Sequence, residues 1–387
     1  MNLIPTRDAG LAALKGFVTK AAHHYTAQRN FDYGPDDRSN ISLLSPYIRH
    51  RLITEQEVVA AVLGSHSFAA AEKFIQEVFW RTYWKGWLEM RPGVWDGYVR
   101  DVASLLDTVG PEYNHAIAGE TGIACFDAWV RELTEIGYLH NHARMWFASI
   151  WIFTLRLPWQ LGADFFYRHL LDGDPASNTL SWRWVAGLQT AGKTYLAQAD
   201  NIAKFTGGRF KPAPLTHHAG PPSEAAVEPL PLVDLPPIPD GPVGMLLTQE
   251  DLNPESIHWR GAKITAIASM PAYERTLSPI VSAFKAGAFD DAHSRCAGQY
   301  KAPVHAFETW DAGPLIAWAR EHGVTAIVTP YLAIGHAHSH VADLTHALAT
   351  QGVALIQVRR KWDSNAWPHA RKGFFAFKEH IPALIRT

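Results

Sequence analysis

The chain has 387 residues, 35 Lys and Arg against 37 Asp and Glu, and a formal net charge of -2. That length accommodates two domains with cores of their own, and 47% hydrophobic with 19% charged residues excludes a disordered chain. Two cysteines, Cys125 and Cys296, exclude a disulfide scaffold and any cluster that needs four thiolates from one chain. The net charge gives no sign of nucleic acid binding, yet residues 1–215 hold 21 basic and 21 acidic side chains, which leaves room for a basic face. No basic segment followed by an apolar run opens the chain, so no secretory signal is read. The most apolar stretch, residues 145–159 (MWFASIWIFTLRLPW), is broken by Arg156 and Pro158 and is too short to span a bilayer. A cytoplasmic protein without a membrane segment is expected, and a monomer.

Residues 1 to about 210 read as helical throughout. Residues 68–87, 121–137 and 159–171 have apolar side chains at helical spacing, the last beginning just after Pro158. Residues 212–242 contain ten prolines and read as an extended linker, either wrapped over a surface or a disordered tether. Beyond Pro242 the pattern changes. The short apolar runs VGMLLT, KITAIAS, PVHAFET, TAIVTPY and ALIQVR alternate with helical stretches, which predicts a parallel sheet with right-handed crossovers. The expected architecture is an all-α domain (1–211), a Pro-rich linker (212–242) and an α/β domain (243–387) with a five-stranded, Rossmann-like sheet.

Residues 172–184 read DGDPASNTLSWRW, and GYLHNHARM (137–145) lies about one helix upstream. Asp172 and Asp174 flank Gly173 at a helix end, and such a pair can bind metal, move protons or accept hydrogen bonds from a ligand. A metal would need more oxygen ligands than PASN offers, so none is expected. Arg144 is placed to pair with Asp172, which is also the plain structural reading of that carboxylate. Asn178 can donate and accept, which suits a ring nitrogen whose protonation changes with redox state. Trp182 and Trp159 can relay an electron or simply fill a helical core. Fifteen tryptophans fit either account.

HNHARM, DGDPASN and WRW, in this order and spacing, resemble the flavin domain of the photolyase/cryptochrome family. YTAQRNF (25–31), NISLLSPYI (40–48) and QEVFWRTYW (76–84) are similar to three further motifs of that family, so the resemblance covers residues 1 to about 210. It implies that Tyr25, Ser42, Leu44, Ser45, Arg81, Asn141, Arg144, Asp172, Asp174 and Asn178 bind FAD. It also implies that Glu77 hydrogen-bonds a lesion base, that Trp80 and Met145 line the cavity for a flipped-out dimer, and that Arg29, His142 and Arg183 lie near phosphates of UV-damaged DNA. The implied activity is light-driven repair of cyclobutane pyrimidine dimers, with Glu77, Asn178, Met145 and Trp80 as the catalytic set and Trp182 and Trp159 as electron carriers. Asn141 and Met145 stand where members acting on (6-4) photoproducts have histidines. The alternative is a blue-light receptor of the same fold without repair activity. A second, antenna chromophore is also implied, of unknown identity.

Three departures accompany the resemblance. Family members place the α/β antenna domain first, whereas here it follows, as in a circular permutation. The outer tryptophan of the family's electron path would fall near residue 106, which lies in SLLDTV, leaving Tyr113, Trp146 and Trp151 as candidates. The phosphate loop has Ile41 in place of a hydroxyl residue, with Ser39 and Asn40 as substitutes. Two other motifs compete for attention. GLQTAGKT (187–194) matches a phosphate-loop pattern, the basis of an ATPase reading, but no strand precedes it. HAHSH (336–340) opens a predicted helix, which would splay the histidines and defeat a metal site.

Overall fold

Each of the five apolar runs after Pro242 becomes a strand of one parallel sheet. The computed structural model describes residues 3–190, 192–212, 215–271 and 276–386. Strands β1 (Gly241–Leu247), β2 (Ala262–Ser269), β3 (Val304–Ala306), β4 (Ala326–Pro330) and β5 (Ala354–Val358) stand in the order β3-β2-β1-β4-β5. Successive residues of β1 face opposite sides. Leu246 packs with Trp318 and Leu344, whereas Met245 and Leu247 pack with Cys296 and Val328. Burial on both faces explains why these runs are continuously apolar. Gly244 admits Trp318 against the sheet, since a Cβ there would lie 2.8 Å from its ring.

Residues 7–205 form a helical assembly. The longest helix, Phe68–Glu89, is capped by Ser67, whose hydroxyl accepts from the Ala70 N–H at 3.3 Å. The apolar run at 145–159 extends the Asn141–Ser149 helix into a π-helical turn, Ile150–Thr154, and ends at Arg156 in the left-handed region. Trp129, Trp146, Trp151 and Trp182 are essentially inaccessible, so much of the tryptophan excess is core. Gly162 of the Trp159–His169 helix is part of that packing, because a Cβ there would collide with the Trp182 ring.

The loop after β1 enters the helical assembly. Arg49 makes paired hydrogen bonds to Glu250 at 3.0 and 2.8 Å, and His50 Nδ1 lies 3.2 Å from the Gln249 carbonyl. The Leu252 N–H donates to the His50 carbonyl at 2.9 Å. Arg51 pairs with Asp363 at 2.7 Å and with Asp251 at 3.3 Å, and Asp251 in turn pairs with Arg360 at 2.6 Å. Buried charges are costly without partners, so this network fixes how the sheet docks. Trp362 Nε1 donates to the Thr82 hydroxyl at 2.9 Å, and Trp367 packs closely against Gly86, where a Cβ would lie 2.9 Å from its Cα.

Up to Asp240 the Pro-rich segment has no regular structure and runs over the surface, and its Gly241 and Pro242 open β1; its residues 213 and 214 fall outside those described. Among the described residues it is pinned at several points. Glu224 pairs with Arg183 at 2.8 Å, the Val227 carbonyl accepts from Arg91 at 3.0 Å, and the Leu230 N–H donates to the Met90 carbonyl at 2.8 Å. Leu232 and Leu235 pack against the cluster of Tyr331 and Trp367. Of the two readings of this segment, it is the wrapped one.

The junction dictates a pH response. Burial, aided by the Arg49 and Lys285 charges, pushes His50 down to about 3. Burial raises Glu250, but Arg49 and Lys85 outweigh it and hold the carboxyl at about 2. Both groups sit below their unfolded values of about 6.5 and 4.3, so the unfolded chain binds more protons as pH falls. Their contribution is whole above about pH 6.5, and it declines as pH drops toward about 3. The expected result is a Tm, followed by tryptophan fluorescence, that decreases steadily from pH 7 to pH 4; a flat Tm over that range contradicts this account.

Candidate cofactor and substrate site

The Trp159–His169 helix stops at Leu170, and the chain turns through Gly173, whose N–H donates to the Leu170 carbonyl at 3.0 Å. A Cβ at Gly173 would sit 2.9 Å from the Tyr167 carbonyl oxygen, so the turn favours glycine. Asp174 then caps the Pro175–Ala186 helix, accepting from the Ser177 N–H at 2.7 Å, with proline in the first position. This use of one carboxylate oxygen is what the sequence D-P-x-S encodes locally.

The second oxygen of Asp174 faces three cations. Arg81 lies at 3.5 Å, Lys85 at 3.6 Å and Arg49 at 3.7 Å. None is close enough for a hydrogen bond, and Asp174 Oδ2 and Arg81 Nη1 are both buried without a hydrogen-bond partner. Arg49 also donates to the Gly173 carbonyl at 2.7 Å. With Glu250, which Lys85 approaches at 3.7 Å, the cluster has three cations against two carboxylates. Burial raises Asp174, but Lys85, Arg49 and Arg81 prevail and hold it well below the usual carboxylate range. A buried excess of positive charge beside unsatisfied polar atoms is a place for an anionic, hydrogen-bonding ligand.

Asp172 lies on the other side of Gly173. Its Oδ2 accepts from Arg144 at 3.0 Å, and Arg144 Nε donates to the Leu139 carbonyl at 3.0 Å while its guanidinium lies 5.2 Å from the Tyr138 ring centre. Burial raises Asp172, and Arg144 together with the Ser45 hydroxyl lowers it further, so it stays ionised. Ser45 opens the short Ser45–Arg49 helix; before it, Ser42 Oγ accepts from the Leu44 N–H at 3.4 Å, and Leu43 has φ 53. A left-handed leucine is strained backbone held by its surroundings. Asn40 donates to the Gln28 and Phe31 carbonyls at 2.9 and 2.7 Å. Its N–H groups therefore close the loop internally and do not replace the missing hydroxyl at Ile41.

About two turns of one helix, from Glu77 to Lys85, connect this cluster to a second group. Glu77 and Trp80 precede Arg81 on the Phe68–Glu89 helix. Glu77 is ion-paired with Arg29, both partly exposed, and Tyr25 packs edge-on to Phe74 beside them. Burial and then Glu77 raise Tyr25 above its ordinary range, so its hydroxyl keeps its proton. Trp80 stacks on Phe374 with ring centres 3.7 Å apart and planes at 12°. Met145 is partly buried on the Asn141–Ser149 helix. Asn178 donates through Nδ2 to the Ala163 carbonyl at 2.7 Å, which fixes the amide and leaves Oδ1 as its acceptor.

Other expected site residues are placed differently. Asn141 is exposed at the helix start, outside both groups. His142 stacks on Trp146 at 4.1 Å, with Nδ1 3.0 Å from the Asn30 carbonyl. Arg183, expected near DNA phosphates, is buried: Glu224 of the linker neutralises it, and it lies 5.7 Å from the Trp159 ring centre. Trp182 has its ring neighbours in Phe147, Trp151 and Phe166, whereas Trp159 stacks on Tyr98 at 5.7 Å. The continuous aromatic line from Trp182 runs to Trp151 at 6.2 Å and on to Tyr113 at 6.0 Å.

Neither competing motif forms a site. Gly187, first of GLQTAGKT, is the C-cap of the Pro175–Ala186 helix at φ 83, so a helix precedes the motif where a phosphate loop requires a strand; its Ala191 lies outside the described residues. His336 packs against Trp95 and Tyr167, and His338 Nδ1 lies 3.0 Å from the Leu332 carbonyl. Among the described residues no group of three or more His, Cys, Asp or Glu is arranged to hold a metal ion. No helix there is long and apolar enough to cross a membrane.

Residues 74–207 match the family described as the FAD binding domain of DNA photolyase. The deoxyribodipyrimidine photo-lyase of Synechococcus sp. is 30% identical over 191 residues, 47% of this chain and 39% of that protein. That of Escherichia coli is 31% identical over 198 residues, 48% of this chain and 40% of that protein. A class III photolyase from Agrobacterium tumefaciens has a solved structure that is 27% identical, with a TM-score of 0.44 over 52% of this chain and 43% of that one. The matches thus span about two fifths of the curated relatives' length. The family match falls on the part that holds Glu77, Arg81, Arg144, Asp172, Asp174 and Asn178, so these residues lie in a segment similar to the FAD-binding domain of DNA photolyase.

Proposed function

We propose that the chain repairs cyclobutane pyrimidine dimers in DNA by light, with FAD seated between the Arg49–Arg81–Lys85 cluster and Asn178. The observation that carries this reading is the unsatisfied pair Asp174 Oδ2 and Arg81 Nη1, buried within an excess of positive charge. FAD fits that donor set: its diphosphate is anionic, and its ribose hydroxyls and ring N–H need acceptors such as Asp172 and Asp174. Arg81, Lys85 and the Ser42–Ser45 loop would hold the phosphates, and Asn178 Oδ1 would face the ring.

When bound and reduced, FAD would supply the light-excited electron that opens the cyclobutane ring and is recovered afterwards. The chain's own side chains do the rest. Glu77 would accept or donate a hydrogen bond at the lesion base, which first requires it to exchange its Arg29 partner for the base. Trp80 and Met145 would offer apolar surface to a dimer taken out of the helix, where a distorted lesion is cheaper to extrude than an intact pair. Arg29, released from Glu77, would be free to reach a phosphate. Dimer repair is the substrate reading that Asn141 and Met145 favour.

The test is recovery of thymine absorbance from dimer-containing oligonucleotides under blue light, using the purified chain loaded with FAD, against a dark control. Light-dependent recovery is expected. A protein that holds FAD and photoreduces it but leaves dimers intact is a photoreceptor, and one that binds no flavin overturns the reading. Arg81→Met should weaken FAD retention by about 10- to 100-fold, since it removes charge-assisted hydrogen bonds, and is checked by flavin absorbance after gel filtration. Glu77→Gln should leave flavin content intact and slow repair at least about tenfold.

A further inference from the structure

Glu250 is a carboxylate that the α/β half sends into the candidate cofactor site. It lies in the loop just after β1, is 5% exposed, and its N–H donates to the Thr248 hydroxyl at 3.3 Å. Its two oxygens accept from Arg49 Nη1 and Nη2 at 3.0 and 2.8 Å, and Lys85 Nζ lies 3.7 Å from Oε2. The same two cations face Asp174 Oδ2, Arg49 from 3.7 Å and Lys85 from 3.6 Å. Two carboxylates from different halves of the chain thus share one pair of cations. Lys285 of the Pro279–Tyr300 helix also faces Arg49 and Glu250, and burial lowers it to about 7.

This sharing decides what is left for a ligand. Arg49 commits Nε to the Gly173 carbonyl at 2.7 Å and both terminal nitrogens to Glu250. A guanidinium is a planar, rigid fork, so bonds in these three directions hold it beside Asp174 without closing on it. Among the described residues Asp174 Oδ2 therefore has no hydrogen-bond partner, although it is buried among cations. With Glu250 neutral, the pull from the sheet side would be lost, and the buried Asp174 carboxylate would draw Arg49 and Lys85 in. The acceptor would then be consumed inside the protein, and one more positive charge would stand uncompensated.

We infer that Glu250 is a positioning residue of the cofactor site: by holding Arg49 and Lys85 off Asp174, it keeps Oδ2 open for an N–H or O–H donor of FAD and sets the positive charge that the flavin experiences. This rests on the FAD reading above. The affinity and the redox poise of the flavin then depend on a residue of the α/β half, outside the segment 74–207 that matches the flavin-domain family.

The experiment uses the full chain loaded with FAD and compares Glu250→Gln with Asp251→Asn. Asp251 is the adjacent residue and pairs with Arg51 and Arg360 in the same junction. Both variants should lower Tm, which reports the junction. Glu250→Gln alone should weaken FAD binding, read from flavin fluorescence, by about tenfold. It should also move the flavin midpoint potential, titrated at fixed pH, to a more positive value, because loss of a negative charge favours the reduced form. Glu250→Asp keeps the charge and should keep the wild-type potential. Unchanged affinity or unchanged potential in Glu250→Gln rejects the inference and leaves the FAD reading standing, and so does an Asp251→Asn variant that reproduces both changes. Should Glu250→Gln fail to fold, Glu250→Asp carries the test through affinity: its shorter reach pulls Arg49 out of place, so FAD must bind less tightly, and wild-type affinity rejects the inference. A wild-type chain that binds no FAD overturns both.

Discussion

Arg49 is the side chain on which the rest of the molecule depends. It is buried completely, grips Glu250 of the loop after β1 with two hydrogen bonds, donates to Gly173 and lies against Asp174. One guanidinium thereby joins the sheet, the acidic turn and the candidate cofactor site. Removing an ion from such surroundings leaves its partners uncompensated, which is why the arrangement has one geometry. His50 and Arg51, next in sequence, repeat the pattern on Gln249, Asp251 and Asp363.

The long Phe68–Glu89 helix distributes this order into the chemistry. Arg81 and Lys85, one turn apart, address the acidic turn, whereas Glu77 pairs with Arg29 and Trp80 stacks on Phe374. The C-terminal residues reach the same helix from the other side: Trp362 bonds to Thr82, Trp367 lies on Gly86 and Phe374 lies on Trp80. A single helix therefore contacts the acidic turn at Asp174, the Arg29 side chain and the α/β half at once.

Much of this was legible in the sequence, where local chemistry decides. The five strands are short because they are short apolar runs, and both faces are buried because those runs do not alternate. Asp174 as a cap follows from D-P-x-S, and the Arg144–Asp172 pair from the helix-to-turn spacing. Lys85 was overlooked although it lies four residues after Arg81, a spacing that brings it to the same target. Arg49 and Glu250, 201 residues apart, had no local signature, and neither did Phe374 on Trp80. Arg183 was misplaced for a related reason: its partner, Glu224, sits in a linker whose course no periodicity reveals.

That linker has a bearing on how such a chain arises. Up to Asp240 it has neither strand nor helix, and among the described residues it touches both halves through the Glu224–Arg183 pair, a few hydrogen bonds and apolar side chains such as Leu215, Leu232, Leu235 and Ile238. The mutual arrangement of the halves is written in Arg49, Arg51 and their carboxylates, which are indifferent to where along the polypeptide the covalent join is made. A connection with so little structural content is one that gene rearrangement can sever and remake elsewhere at small energetic cost. The fold then depends less on the order of the two halves along the chain than on the interface between them.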